Sequence, residues 1–340
     1  MTKKVGHIFH EILDMDNLRL AFNKAAKGKR KHKCVRQIES DLDAYLLKIQ
    51  TSLKNHTFTT APYRTKTIYE PKQRTIYILP FYPDRIVHHA LMNILEPYFE
   101  RWFYERSLAC RKGKGIHMGS RMTMRYVKHN AYCIKGDFSK FYPSVNHRIL
   151  KDMLRHKIKD SNVLWLLDDI ISSIGGDTNV PIGNYVSQWF GNFYLNFFDA
   201  YCYEKLKVHN YIRYCDDFVI FSNDKNKLRD CCMRLRGFVA ARLAMQFSKL
   251  DLFPVTRGVD FLGYRHFPEK ILLRKTTATR IKRRLKILYA QISGHTVSLA
   301  RARGVIASTK GWLQHAYTYN LRQAIGFSSI EGMLAGYEKV

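Results

Sequence analysis

Acid is what this 340-residue chain most lacks: 28 Asp and Glu stand against 57 Lys and Arg, a formal charge of +29. Charge of that size opposes a compact fold by self-repulsion unless a polyanion neutralises it. Nucleic acid is the leading partner, because neutralising phosphates releases counterions and binds without regard to sequence. An acidic membrane surface is the alternative, but neither a lipidation signal nor a clear basic amphipathic helix is there to serve it. No apolar run approaches transmembrane length. Charge interrupts the opening MTKKVGHIFHEILDMD too early for a signal-peptide core. None of the seven cysteines (Cys34, Cys110, Cys133, Cys202, Cys215, Cys231 and Cys232) falls in a CxxC pair. A disulfide framework and a zinc ribbon are therefore not expected, and a reducing cytoplasm is. Internal repeats, low-complexity linkers, HExxH, a nuclease motif and a helix-turn-helix are also missing.

What is present is enough apolar residue, 46%, for a sizeable core divided into two or three subdomains. Residues 1–55 read as helices around Ile12, Leu13, Leu18 and Phe22, then around Leu42, Leu46, Leu47 and Ile49. Between them lies the basic stretch KGKRKHKCVR, either a solvated loop or a nucleic-acid contact. TIYEPKQRTIYIL predicts a hairpin within 57–79, and helical spacing returns over 85–99. YCIKGDF at 132–138 reads as a short buried strand, with a helix after Pro143. The aromatic segment 187–199 reads as a helix whose Ser187 and Gly191 form a small-residue face able to sit close to a strand. Residues 211–221 read as two strands meeting at a turn, 225–243 as a helix, and 259–267 as a strand near a turn at Arg257-Gly258. From Arg265 onward the expectation is basic helices, with 14 Lys or Arg against 3 Glu, 14 − 3 = +11. Strands and helices mix without a βαβ rhythm, which predicts an α+β fold.

The sharpest local feature is Tyr214-Cys215-Asp216-Asp217 between the β-prone runs YIRY and FVIF. Adjacent side chains on a flat strand face opposite ways, so two neighbouring carboxylates can share a metal only where a turn breaks the alternation. Alone, such a pair is more often a plain turn. The second feature is KGDFSKFYPS, with Asp137 at the end of a buried strand, where a carboxylate is costly unless paired or metal-bound. It could cap the following helix, but Ser144 is the better-placed cap, which leaves Asp137 without a structural task. Three such carboxylates, with the Phe138 carbonyl as a further ligand, suit two Mg²⁺ ions about 3.5–4 Å apart, the arrangement used for phosphoryl-type transfer.

Taken in order, D-x-x-x-F-Y, I-G-N-x-x-S-Q, Y-C-D-D and F-L-G-Y resemble the motifs of reverse transcriptases, over roughly Tyr63 to Tyr264. The resemblance implies a right-hand polymerase fold of fingers, palm and helical thumb. Residues 1–55 would form a basic helical N-terminal extension, 56–264 the fingers and palm, and 265–340 the thumb. It makes Asp137, Asp216 and Asp217 the catalytic, metal-binding acids. Tyr142 becomes the gate that senses the sugar 2′ position, although a lone aromatic beside Phe141 would ordinarily be core. Lys72 and Arg74 become the grip on the incoming triphosphate, where a solvated hairpin turn is the plain reading. Arg85 matches a family position of less certain role. Lys249 corresponds to the general acid near the pyrophosphate. Phe261, Leu262, Gly263 and Tyr264 correspond to the primer grip, or are simply a buried strand.

One departure narrows the resemblance. Most reverse transcriptases carry Gln-Gly followed by Ser-Pro in the segment that here reads Pro181-Ile182-Gly183-Asn184-Tyr185-Val186-Ser187-Gln188. Ile at the Gln position and Ser-Gln at the end resemble the enzymes of diversity-generating retroelements, as do YEPK and RGVDFLGYR. That group implies error-prone copying of template RNA at adenines. It also implies an RNA/cDNA duplex, dNTPs, Mg²⁺ with Mn²⁺ as a substitute, and a small basic helical accessory variability protein. Ile182, Gly183 and Gln188 join the nucleotide-binding set. Ile cannot give the hydrogen bond that Gln gives, so discrimination would loosen by about 1 kcal/mol or more; alternatively Ile182 merely packs. The other readings are an accurate retron or group II intron-like relative, and an inactive RNA-binding relative. The Val-Thr-Gly triplet of retron enzymes is missing; Val255-Thr256-Arg257 is the nearest text.

Overall fold

The computed structural model describes residues 4–69 and 73–337, so Lys72 lies outside the described residues. The chain opens with α1 (Phe9–Leu13), α2 (Met15–Ala26), α3 (Lys33–Glu39) and α4 (Leu42–Lys54); the periodicity predicts the helices on either side of the basic stretch, while α3, which begins inside it, is an addition. Asp14 starts α2 by accepting from the amides of Asp16 and Asn17. Leu18, Ala21, Phe22 and Ala25, at i, i+3, i+4 and i+7, are its buried stripe. β1 (Arg64–Ile68) and β2 (Arg74–Ile78) form the expected hairpin, with Lys66 opposite Ile76. A wide turn over Phe81–Arg85 leads into α5 (Ile86–Trp102).

Then come α6 (Ile116–His129), β3 (Tyr132–Phe138), α7 (Phe141–Ser144), α8 (His147–Arg155), α9 (Ser161–Ser172) and α10 (Tyr185–Ala200). β4 (Tyr211–Tyr214), β5 (Asp217–Ser222), α11 (Lys225–Leu243) and β6 (Phe247–Pro254) follow. The chain ends with β7 (Val259–Phe261), β8 (Tyr264–His266), β9 (Ile271–Leu273), α12 (Lys275–Ser293), α13 (Leu299–Gln314), α14 (Tyr319–Ala324) and α15 (Phe327–Tyr337). This mixture of helices and antiparallel sheet is the α+β class that the sequence predicts.

Four local expectations need correction. Ser144 does not cap α8: Asn146 does, accepting from the Ile149 amide at 3.0 Å. Ser144 instead closes the one-turn α7, its hydroxyl donating to the Ser139 carbonyl, and Asp137 caps neither helix. The small face of α10 meets rings rather than a strand: a Cβ on Gly191 would lie 3.0 Å from Phe141 and 3.2 Å from Tyr142. Residues 259–267 are two strands, not one, because Leu262 and Gly263 both take positive φ (56° and 84°) and turn the chain. Finally, the C-terminal helices begin at Lys275, since β8 and β9 pair first.

The chain forms two compact units: residues 1–111, 137–208 and 233–249, and residues 112–136, 209–232 and 250–340. In the first, α2 packs on α5, and the Asn17 side chain donates to the Ala90 carbonyl at 3.1 Å. In the second, strands run in the order β4-β5-β3-β6, with β3 and β6 continuing past the unit boundary. The C-terminal helices enclose their own core: Ile281, Leu285, Leu288 and Ile292 of α12 face Ala302, Ile306, Phe327 and Leu334. Burying each large aliphatic there contributes roughly 1.5–3 kcal/mol.

Candidate active site

β4 and β5 pair antiparallel with Tyr214 opposite Asp217, so Cys215 and Asp216 alone make the turn. Cys215 has φ 53°, a left-handed conformation that a non-glycine residue adopts at a cost. Arg213 is fully buried on β4, and its Nη1 donates to the Cys215 carbonyl at 3.0 Å. A buried guanidinium must find acceptors, and this one clamps the turn. Asp216 sits at the tip and Asp217 opens β5, both half-buried. The turn interrupts the alternation that would send the two carboxylates to opposite faces. On the neighbouring β3, Gly136 leaves room for the Phe218 ring, with which a Cβ would collide.

In the first unit, Asp137 stands one residue from the end of β3. Its Oδ2 accepts from the Ser248 hydroxyl at 2.6 Å, and the Ser139 amide donates to the Gln246 carbonyl at 2.8 Å. These bonds tie the end of β3 to the start of β6. Phe138 anchors the same end among Phe247 (4.9 Å), Phe198 (5.3 Å) and Phe141 (6.1 Å between ring centres). Alternation along β6 sends the exposed Lys249 to the face opposite Ser248. Among the described residues, no three His, Cys, Asp or Glu side chains form a ready-made metal cluster. The candidate ligands are all hard oxygen donors, however. They fit Mg²⁺, which leaves much of its coordination sphere to water and substrate phosphate.

Also in the first unit, Tyr142, Ile182, Gly183 and Gln188 line one cleft of about 320 Å³, together with Lys29 and Arg85. The β1–β2 hairpin is fastened beside them, with the Tyr77 amide donating to the Ile182 carbonyl at 2.8 Å. Gly183 has φ 118°, and a Cβ there would lie 2.5 Å from the Tyr77 carbonyl oxygen, so this close approach requires glycine. The Asn184 amide group donates to the Tyr63 hydroxyl at 2.8 Å, which also bonds Ser173. Tyr142 holds the neighbouring loop by accepting the Val180 amide through its carbonyl, at 2.9 Å. Arg74 opens β2 and is exposed.

The primer-grip candidates form the β7–β8 hairpin of the second unit. Phe261 and Tyr264 are fully buried, with Leu262 and Gly263 as the turn. A Cβ on Gly263 would lie 2.7 Å from the Trp312 indole. The Gly263 carbonyl accepts from the Arg274 amide at 3.0 Å, and the Tyr264 hydroxyl lies 3.2 Å from His117 Nε2.

Sequence reasoning missed Ser248, Arg213, His88 and His89; Lys29 belongs to the basic stretch that it read as a solvated loop or a nucleic-acid contact. Arg213 carried a signal, a cation inside an otherwise apolar strand. Ser248 carried none, because its bond to Asp137 spans 111 positions.

Comparison with known proteins bears on the whole. Protein YkfC of Escherichia coli (strain K12) is 27% identical over 257 residues, covering 60% of this chain and 67% of its own length. The group II intron-encoded protein LtrA of Lactococcus lactis subsp. cremoris is 21% identical over 262 residues, covering 71% of this chain but 44% of its own. The solved telomerase from Candida albicans in complex with the TWJ fragment of telomeric RNA aligns with TM-score 0.49 and 13% identity, over 84% of this chain and 61% of its own. The chain thus spans about two thirds or less of these relatives' lengths. The family model described as reverse transcriptase (RNA-dependent DNA polymerase) matches residues 66–266, from the β1–β2 hairpin through the paired acids to β8, so the chain belongs to the reverse transcriptase family and has its right-hand polymerase fold.

Proposed function

We propose that this reverse transcriptase copies RNA into DNA with Asp137, Asp216 and Asp217 as its catalytic acids, and that it copies template adenines inaccurately, as diversity-generating retroelement enzymes do. The observation that carries the site is the β4–β5 hairpin, whose two-residue turn puts Asp216 and Asp217 at a tip clamped by buried Arg213. With Phe138, the three acids would hold two Mg²⁺ ions, which when bound activate the attacking hydroxyl and neutralise the leaving pyrophosphate. The primer 3′-oxygen forms a bond to the α-phosphorus, the bond to pyrophosphate breaks, and the hydroxyl proton passes to solvent water. Ser248 steers one Asp137 oxygen and leaves the other for this work. Arg74 and Lys72 grip the triphosphate, Tyr142 excludes a 2′-hydroxyl by bulk, and the β7–β8 hairpin holds the primer end.

Ile182 supports the inaccurate reading, because an aliphatic side chain in the cleft offers no hydrogen bond to the nascent pair. The likeness to an intron-encoded protein supports an accurate enzyme as the second reading. A cytoplasmic complex with template RNA and a small basic helical accessory protein completes the proposal. Residues 1–55, 56–264 and 265–340 then serve as extension, fingers with palm, and thumb.

Primer extension on an RNA template with Mg²⁺ tests the site. Asp216→Ala and Asp217→Ala should each abolish synthesis while RNA binding is retained. Undiminished extension by both variants refutes the assignment. Sequencing the cDNA separates the two readings: uniform fidelity at adenines removes the retroelement assignment and leaves the polymerase.

A further inference from the structure

In the second unit, three imidazoles gather around one tyrosine of the β7–β8 hairpin. Tyr264 on β8 is fully buried, and its hydroxyl lies 3.2 Å from Nε2 of His117 on α6. The His117 ring stacks on that of His315, which caps the end of α13, with ring centres 4.6 Å apart and the planes 17° from parallel. His315 and Trp312 stand 4.9 and 5.1 Å from the Tyr264 ring. The Trp312 indole also covers Gly263, at the turn of the hairpin. The hairpin is thus held by α6 through His117 and by α13 through Trp312 and His315, and Tyr264 is the side chain that all three touch.

The hydrogens of this cluster can be assigned one by one. Burial raises the pKa of Tyr264, so the phenol keeps its hydrogen and must donate it. Among the described residues its hydroxyl bonds only His117 Nε2, which therefore accepts. His266 Nδ1 donates to the Val259 carbonyl at 3.1 Å, and its Nε2 accepts from the Ser120 hydroxyl at 2.7 Å. Burial lowers its pKa to about 4, so this ring stays neutral. His315 is pushed the same way, by burial first and then by His117 and Arg121. Its Nε2 is buried and unpaired, so a charged ring would bury a donor there with no acceptor.

A proton on His117 has a different consequence. Both of its nitrogens then donate, the bond to Tyr264 must reverse, and the phenol hydrogen is left buried without an acceptor. The neighbouring charges give such a proton little support. Arg121 lies one turn along α6, and His315 follows α13, whose Lys310 is paired with Glu331. On β8 stand His266 and Tyr264 themselves. Asp260 on β7 is taken by Arg274, and Arg213 on β4, which also packs on α6, is turned to the Cys215 carbonyl. We propose that His117 is the positioning residue of the β7–β8 hairpin, and that a proton on its imidazole reverses the bond to Tyr264 and loosens the hairpin. Imidazole is the side chain that changes charge between about pH 5 and 8, so the latch responds within the ordinary range. That the loosened hairpin then holds a primer end less firmly rests on the proposed function; the latch itself does not.

The test follows the Arg274 amide, which donates to the Gly263 carbonyl at 3.0 Å, by hydrogen exchange in the full chain, corrected for the intrinsic effect of pH. Between pH 8 and pH 6 its protection should fall about 2- to 12-fold, the range of one hydrogen bond. The Leu285 amide, inside α12 and its separate core, reports global opening and should keep its protection. His117→Gln supplies a neutral amide that can accept from Tyr264 at every pH, so the protection of Arg274 should stay level. Tyr264→Phe removes the hydroxyl and with it the reversal, and should flatten the pH dependence whatever it does to the absolute level. It carries the test if His117→Gln does not fold. In extension assays the primer KM should rise over the same interval while the dNTP KM does not, and in His117→Gln the rise should vanish. No pH dependence in the unmutated chain, a dependence that survives in the substituted chains, or an equal fall at Leu285 would overturn the inference. If the exchange behaves as stated but no primer is extended, or the primer KM ignores pH, the latch stands and the primer-grip reading falls.

Discussion

Gly183→Ala tests whether the β1–β2 hairpin is held by the loop that carries Ile182. The added Cβ would lie 2.5 Å from the Tyr77 carbonyl oxygen and 3.0 Å from the Ile76 methyl. Carbon–oxygen contacts settle at about 3.3–3.6 Å, so the strand must retreat by roughly 0.8 Å or more. The Tyr77 amide sits 2.8 Å from the Ile182 carbonyl, and that retreat takes it to a distance where no hydrogen bond remains. Its loss costs about 0.5–1.5 kcal/mol. Forcing alanine to φ 118° costs about 1–3 kcal/mol more. Together they disfavour the docked hairpin by roughly 10- to 1,000-fold, at 1.4 kcal/mol per decade. Hydrogen exchange reads this directly: the Tyr77 amide should lose protection by that factor, and in extension assays the dNTP KM should rise because β2 carries Arg74. Gly237→Ala is the control, since its Cβ meets nothing within 4 Å and it lies inside α11. Unchanged protection at Tyr77 in Gly183→Ala would show that the loop does not hold the strand.

Ile182→Gln should make adenine copying more accurate. Its side chain lines the cleft while only its backbone carbonyl anchors Tyr77, so the substitution leaves the anchor alone. One neutral hydrogen bond, about 0.5–1.5 kcal/mol, corresponds to a fall in misincorporation of roughly 2- to 12-fold; sequencing that finds no change would confine Ile182 to packing. The pH dependence of stability has a definite sign. Burial holds His88 down to about 3 and His89 and His266 to about 4, against 6.5 when unfolded. The unfolded chain therefore takes up protons first, and stability falls as pH drops from about 6.5 towards 4. Buried Asp84, whose pKa is raised, works the other way, in the carboxylate range. A melting temperature that stays level or rises between pH 7 and 5 would contradict the burial of these three imidazoles.

How legible the molecule was in its sequence depended on the range of each interaction. The Asp216–Asp217 turn could be read because a hairpin of two buried strands is written in adjacent residues: YIRY and FVIF flank it, and Tyr214 pairs with Asp217 only three positions on. α12 could be read because Ile281, Leu285, Leu288 and Ile292 recur at helical spacing along one face. The β7–β8 turn was lost because Leu262 at φ 56° is an unusual first turn residue, where Asn or Gly announces the bend. The Asn146 cap was not read because Ser144, two positions earlier, is a good cap by residue type, and only the short α7 decides between them. The cleft of Tyr142 and Ile182, with its wall of Lys29 and Arg85, is the furthest case. Lys29 and Arg85 are 56 positions apart and Ile182 lies almost a hundred further on, so no window of sequence holds two walls at once. The sign of that wall was nonetheless present in the composition. A chain of charge +29 must collect cations somewhere without acids between them, and the fold collects four cationic or ionisable side chains around one hollow. Surface lysines of such a protein can be spaced out by solvent; Lys29 is half-buried, and burial first, then the neighbouring Arg85, lowers its pKa.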